Sequence, residues 1–91
     1  MRRLIWAPKA LGDLIDIQVY LNEFNPSAAR RFFMMLKAAG DSLDAFPDRG
    51  RPIGDGRREL TIIRPYVIRY RVAESEVRIL SIRHAARRPE P

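Results

Sequence analysis

The sequence predicts an α+β domain in which a helical hairpin packs on one face of an antiparallel sheet, in the order β-α-α-β-β-β. Two observations predict this class. Apolar residues recur at helical spacing over residues 8–46, and they alternate with polar residues beyond residue 57. Neither layer can bury its apolar face alone, so the hairpin must cover the sheet. The first strand is expected to join the same sheet, and a mixed edge stays open as an alternative.

Residues 3–6 predict the opening strand, and Pro8 suits the first position of helix one. The apolar stripe of this helix comprises Leu11, Leu14, Ile15, Ile17, Leu21 and Phe24. Asn25 is the expected N-cap of helix two, with Pro26 at its first position. Its stripe comprises Ala29, Phe32, Phe33, Leu36, Ala39, Leu43 and Phe46. The tight joint makes the two helices an antiparallel hairpin.

Residues 46–56 are rich in turn-forming residues and predict a loop. Three strands are then expected to form a meander, with short connections at residues 64–65 and 73–76. Their alternating residues are Leu60 and Ile62 in the first, Ile68, Tyr70 and Val72 in the second, and the run Val77–Arg83 in the third. One domain is expected over residues 1–91, with residues 86–91 as a flexible tail.

The net charge of +6 comes entirely from the second half of the chain. Residues 1–48 carry six basic and six acidic side chains, whereas residues 49–91 carry eleven basic and five acidic ones. All eleven are arginines, whose planar fork suits phosphate and carboxylate recognition. An acidic macromolecular partner and an ordinary solvated face are both consistent with this excess.

Several function classes are disfavoured by composition. The chain has no cysteine, which excludes disulfides, thiolate zinc sites and a cysteine nucleophile. No metal-ligand cluster or phosphate-binding glycine loop is present in the sequence, so no metal or cofactor is predicted. The opening segment lacks a long apolar stretch, and we therefore expect a cytoplasmic protein.

The arginines of the predicted sheet are the first candidate binding residues. Arg69 and Arg71 share one face, because alternate strand residues point the same way. Arg58, Arg78 and Arg83 lie on neighbouring strands, on faces that the pattern leaves open. The alternative is that these arginines pair with Glu59, Glu74 and Glu76 across the sheet.

His84 and Glu59 are the residues with the most obvious acid–base chemistry. His84 is the single histidine and ends the last strand among arginines. Either side chain can instead be structural, His84 through packing and Glu59 through an ion pair. Likewise, Trp6, Tyr66 and Tyr70 can stack on bases or fill the core.

Four consecutive apolar residues, Phe32, Phe33, Met34 and Met35, circle more than half of the second helix. They cannot all face one sheet. Two interpretations stay open. These residues either pack loosely against the first helix or form a groove that binds a partner segment.

The ordered motifs resemble the ParE/RelE superfamily of small bacterial toxins. The resemblance covers nearly the whole chain and is carried by Leu4-Ile5-Trp6, Ala10-x-x-Asp13-Leu14-x-x-Ile17-x-x-Tyr20-Leu21, Asn25-Pro26-x-Ala28-Ala29, Phe46-Pro47-x-x-Gly50-Arg51, Arg58-Glu59-Leu60, Tyr66-Val67-Ile68-x-Tyr70-Arg71-Val72 and Val77-x-Ile79-Leu80-x-Ile82-x-His84. It implies the toxin half of a type II toxin–antitoxin pair, with a cognate antitoxin that neutralises it by wrapping. The implied antitoxin-binding residues are Phe32, Phe33, Met34, Met35, Tyr20 and Phe24.

The superfamily divides by target. The Phe-Pro-x-x-Gly-Arg and Ile-x-His segments are similar to the ParE branch, which implies a non-enzymatic inhibitor of DNA gyrase. The implied target-binding residues are Arg58, Arg69, Arg71, Arg78, Arg83 and His84. The alternative is a RelE-like, ribosome-dependent endoribonuclease acting on messenger RNA, with Glu59, His84 and Arg58 as its catalytic set. A third interpretation is a non-toxic nucleic-acid-binding module.

Overall fold

The computed structural model describes residues 2–86, and residues 87–91 of the predicted tail lie outside the described part. In chain order, the elements are β1 (Arg3–Trp6), α1 (Pro8–Asn22), α2 (Pro26–Asp41), a short 3-10 turn (Pro47–Arg49), β2 (Arg51–Gly54), β3 (Arg57–Leu60), β4 (Tyr66–Val72) and β5 (Glu76–His84). Pro8 begins α1 as predicted. The Asn25 side chain caps α2, accepting a 3.1 Å hydrogen bond from the Ala28 amide.

The five strands form one mixed sheet in the order β1-β5-β4-β3-β2. β1 pairs parallel to β5, and the other neighbours are antiparallel. The predicted fold and the mixed edge are confirmed. The predicted loop over residues 46–56 was wrong in part, because β2 is a strand. Proline is disfavoured inside central strands, so Pro52 argued against a strand here. It is accommodated because β2 lies at the edge of the sheet.

The helices cover one face of the sheet, which we call the inner face; the opposite side is the outer face. Residues of both layers share one core, including Leu14, Leu36 and Leu43 from the hairpin and Ile68 and Ile79 from the sheet. Burial of this apolar area is the main source of stability in a domain of this size.

The predicted apolar stripes were partly wrong. In α1, Leu14 is buried, whereas Leu11 and Ile15 are exposed. Phe24 and Phe46 are also exposed, because both lie beyond the helix ends. The prediction placed too wide an arc of α1 in the core, since the covered face of one helix needs only about 100°.

Strand β3 ends earlier than predicted, at Leu60, so Ile62 lies outside the sheet and is exposed. The connection to β4 therefore spans residues 61–65. Its Arg64–Pro65 peptide bond is cis.

A bulge in β5 sets the direction of every later side chain in that strand. Tyr70 pairs with Ile79 but Arg69 pairs with Ser81, which leaves Leu80 as an extra residue. Beyond the bulge, the Ile82 amide donates a 2.9 Å hydrogen bond to the Asp13 carboxylate of α1. This contact fastens the end of β5 to the helical layer.

Tyr70 joins the centre of the sheet to the segment that follows the helices. Its ring is fully buried, and its hydroxyl donates to the Pro47 carbonyl at 2.7 Å and accepts from the Gly50 amide at 2.8 Å. Burial raises the pKa of Tyr70 above its usual value, so the hydroxyl remains protonated and able to donate. A Cβ at Gly50 would lie 2.7 Å from the Tyr70 oxygen, so this position needs glycine.

We expect Tyr70→Phe to lower the free energy of unfolding by about 1–3 kcal/mol, because it leaves the Gly50 amide and the Pro47 carbonyl unpaired. Urea unfolding monitored by circular dichroism measures the change. Tyr20→Phe is the matched control, since Tyr20 is exposed and its loss should cost under about 0.5 kcal/mol. Equal stabilities of the two variants would contradict this role of Tyr70.

Candidate functional site

Strand β4 directs its arginines away from the core, on the same face as Val67, which is 5% exposed. Ile68 and Tyr70 point into the core, and Arg69 and Arg71 therefore point to the outer face. Pairing places further arginines on the outer face, because residues paired across strands share a face. The strand arginines on the outer face are Arg3, Arg51, Arg57, Arg69, Arg71, Arg78 and Arg83.

Glu59 lies at the centre of one half of this face and is only 6% exposed. Its carboxylate accepts hydrogen bonds from Arg51 at 3.1 Å, Arg69 at 2.9 Å and Arg83 at 3.4 Å. Burial alone would raise the pKa of Glu59, but the hydrogen bond and charge of Arg69, with those of Arg83, outweigh it. The pKa therefore lies below its usual value.

The other half of the outer face is less neutralised. Arg71 is exposed and makes no ion pair with any of residues 2–86. Arg78 donates to Glu76 at 3.0 Å, and Arg57 lies 3.9 Å from the exposed Asp55.

Two of the predicted target-binding residues do not lie on the outer face. Arg58 pairs with Tyr70 and His84 pairs with Tyr66, so both point to the inner side. The predicted set is thus divided into an outer group of Arg69, Arg71, Arg78 and Arg83 and an inner group of two.

The contacts of Arg58 stabilise the fold. Its guanidinium donates to the Gly50 carbonyl at 2.6 Å and lies 3.4 Å from the Asp48 carboxylate. Together with Tyr70, it holds the turn that precedes β2 against the sheet.

His84 lies at the edge of a cavity of about 110 Å³ lined by Asp16, Ile17, Tyr20, Tyr66, Ile82, Arg83 and His84. Its ring meets Tyr66 edge to face, with centroids 5.8 Å apart. The Ala86 amide donates to Nδ1 at 3.1 Å. Glu59 and His84 therefore occupy opposite faces of the sheet, which separates the pair required by the endoribonuclease alternative.

Four of the six predicted antitoxin-binding residues are exposed, Tyr20 and Met35 among them, and the other two are not. Phe32 and Phe33 pack against the core, whereas Met34 and Phe24 are exposed. The sequence interpretation missed an exposed stripe on α1 at positions i, i+4 and i+8, formed by Leu11, Ile15 and Val19. The sequence feature that could have revealed this stripe is the spread of apolar residues over more than one face of α1.

Within residues 2–86, no group of three or more acidic or histidine side chains is arranged to hold a metal ion. Over the same residues, neither helix has the length and apolarity that crossing a membrane requires.

Comparison with known proteins assigns the family. The family model for the ParE toxin of the type II toxin–antitoxin system parDE matches residues 4–89. The chain belongs to the ParE toxin family. Toxin RelE2 of Caulobacter vibrioides is 48% identical over 87 residues, which span 96% of this chain and 99% of that protein. Toxin RelE1 of the same organism is 42% identical over 79 residues, or 84% of this chain and 85% of that protein.

A solved structure of the chromosomal ParDE toxin–antitoxin system from P. aeruginosa has the same fold. It superposes with a TM-score of 0.81 at 30% identity, covering 92% of this chain and 96% of that chain. The ParE family assignment confirms the predicted superfamily, and with it the toxin half of a type II pair.

Several motifs that resemble the ParE family meet at one structural junction. Gly50 contacts Tyr70 and Arg58, and Arg51 contacts Glu59. The edge of the sheet is thus held in place by three of these motifs: Phe46-Pro47-x-x-Gly50-Arg51, Arg58-Glu59-Leu60 and the β4 segment that contains Tyr70.

Glu59→Gln should lower the free energy of unfolding at pH 7 by roughly 2 kcal/mol, because three guanidinium groups lose their shared carboxylate. In the parent chain, this contribution is complete above the unfolded-state pKa of about 4.3 and is lost as the pH falls through the lowered folded-state pKa. The variant should therefore lose less stability than the parent on acidification.

Chemical unfolding at a series of pH values between about 7 and 3 measures both effects. Glu74→Gln, which changes an exposed glutamate, should leave the pH profile unchanged. Parallel profiles for the parent and Glu59→Gln would refute the role of this carboxylate.

Proposed function

We propose that this chain is a ParE-like growth inhibitor that acts in the cytoplasm by binding DNA gyrase and is neutralised by a cognate antitoxin. The observation that carries the proposal is the placement of Glu59 and His84 on opposite faces of the sheet. Because Glu59 and His84 do not meet, a mechanism that needs both as acid and base is disfavoured, and the outer face offers a binding surface instead.

The geometry disfavours the nuclease set for a specific physical reason. A general acid and a general base must both come within about 2.6–3.2 Å of the groups they serve. One phosphodiester cannot reach both sides of a sheet. Glu59 is also a weakened base, because its pKa is lowered and its oxygens accept from arginines. Arg58 is already bonded to the Gly50 carbonyl.

A RelE-like endoribonuclease is the second candidate. It is favoured by the names of the relatives RelE1 and RelE2, and by the cavity in which His84 lies beside Arg83 and Tyr66. Such an enzyme would use His84 as its acid–base group without Glu59.

His84→Ala separates the two candidates. We expect the variant to inhibit growth and gyrase-catalysed supercoiling as the parent chain does, since His84 lies on the inner side. Neither protein should cleave messenger RNA during translation. Supercoiling of a relaxed plasmid by purified gyrase and primer extension on translated messenger RNA are the two measurements.

Gln18→Ala, a substitution on α1, controls for differences between variants in expression and purification. Translation-dependent cleavage that disappears in His84→Ala, with gyrase unaffected, would replace gyrase by the ribosome as target. Loss of gyrase inhibition in His84→Ala would instead place the target contact at the cavity.

We further propose that the antitoxin covers the exposed stripe of α1, together with the aromatic pair Tyr20 and Phe24, whose centroids lie 5.1 Å apart. Val19 is 57% exposed and Phe24 is 70% exposed, and a group of exposed apolar residues, unlike a single one, is typical of a contact surface. An amphipathic segment that binds to residues at i, i+4 and i+8 would remove this surface from water.

Val19→Asp should weaken antitoxin binding by at least about tenfold, because it places a charge in the proposed apolar contact. Growth inhibition by the free toxin should persist. Isothermal titration calorimetry with the antitoxin from the adjacent reading frame measures the affinity. Thr61→Asp adds the same charge at an exposed position in the connection between β3 and β4, away from α1, and should bind normally. Unchanged affinity for Val19→Asp would remove α1 from the interface.

A further inference from the structure

The outer face contains three arginines in direct register on adjacent strands. Arg57 of β3 lies opposite Arg71 of β4, which lies opposite Arg78 of β5. We call these three residues the arginine row. Neighbouring strands are about 4.8 Å apart, so the row spans the three central strands within about 10 Å, at the start of β3 and near the end of β4.

The arginine row is only partly neutralised within the monomer. Like charges directly opposite one another destabilise a sheet unless something offsets them. The acids beside the row are Asp55, which is exposed and 3.9 Å from Arg57, and Glu76, which is bonded to Arg78. The central Arg71 has no acidic partner among residues 2–86.

One atom of the row also lacks a hydrogen-bond acceptor. The Nε of Arg57 is buried and has no partner among the described residues. Buried donors are normally satisfied, so the orphaned Nε leaves part of its positive charge uncompensated within the described residues. Because this atom is shielded, an external ligand would contact the exposed part of the Arg57 side chain, which is 34% exposed. The Glu59 half of the outer face differs, because its arginines already share a carboxylate.

We propose that the arginine row binds the phosphates of duplex DNA independently of base sequence. Guanidinium groups pair with phosphate oxygens in a fork geometry. A row of cations suits a polymer that carries one negative charge at each regular step, more closely than it suits irregularly spaced carboxylates of a protein.

The surroundings of the row favour a duplex over a single strand. Proteins that bind single strands combine a basic groove with aromatic rings on which the bases stack. The strand aromatics Trp6, Tyr66 and Tyr70 all pack on the inner side, so no aromatic residue of the five strands faces outward. The outer face therefore offers contacts to the backbone and none for stacking.

This activity goes beyond the proposed function, because it requires neither gyrase nor the antitoxin. It would add a DNA contact of the toxin's own to any contact with a target protein. Purified full-length toxin and labelled oligonucleotides are sufficient to test it.

Fluorescence anisotropy with a 20-base-pair duplex, measured at several salt concentrations, is the test. Three phosphate contacts predict a slope of about −2.7 for the logarithm of the binding constant against the logarithm of salt concentration. Arg71→Ala should weaken binding and reduce the slope to about −1.8. Arg71→Lys, which keeps the charge, should retain most of the slope.

Arg30→Ala is the matched control, since Arg30 is an exposed arginine on α2 whose loss changes the net charge equally. Equal effects of Arg71→Ala and Arg30→Ala would overturn the proposal in favour of general charge attraction. Tighter binding of single-stranded RNA or DNA than of the duplex would also overturn it. Absence of salt-dependent binding would remove the DNA contact and leave the gyrase assay unaffected.

Discussion

The alternation of side chains along β4 is the constraint on which the rest of this structure depends. Because successive residues of a strand point to opposite sides, burial of Ile68 and Tyr70 under the helices forces Arg69 and Arg71 outward. Register then carries the same division to the neighbouring strands. One central strand thus determines which groups build the core and which groups are offered to a partner.

The arginines consequently fall into two groups, those that stabilise the fold and those that remain exposed on the outer face. Arg58 and Arg69 are held by the Gly50 carbonyl and by Glu59, and they stabilise the fold. Arg71 remains exposed and without an acidic partner among residues 2–86. A domain of this size has limited stability to offset unneutralised charge. Arg71, near the end of the central strand β4, is thus a cation of the outer face that no described residue neutralises, and the proposed contact depends on it.

The sequence was sufficient for much of this architecture. Helical spacing, Pro8 and the Asn25 cap predicted the hairpin, and the alternation around Arg69 and Arg71 predicted an arginine-bearing face. These features are local, since each depends on residues only a few positions apart.

The remaining features depend on long-range pairing. Counting in twos from Arg78 would place His84 on the outer face, but the extra residue Leu80 reverses the direction of all that follows. No local signal in the sequence marks this bulge. The edge strand containing Pro52 and the exposed side of α1 were likewise set by the packing of distant elements.

The most direct test of the central claim, that the outer face engages the target, is arginine-specific modification read by peptide mass spectrometry. The toxin would be modified alone and in its complex with gyrase, without added DNA. Arg71 should react readily in the free toxin and be protected in the complex, while Arg30 reacts equally in both and Arg58 reacts little in either. Equal reactivity of Arg71 in the two states would contradict the claim.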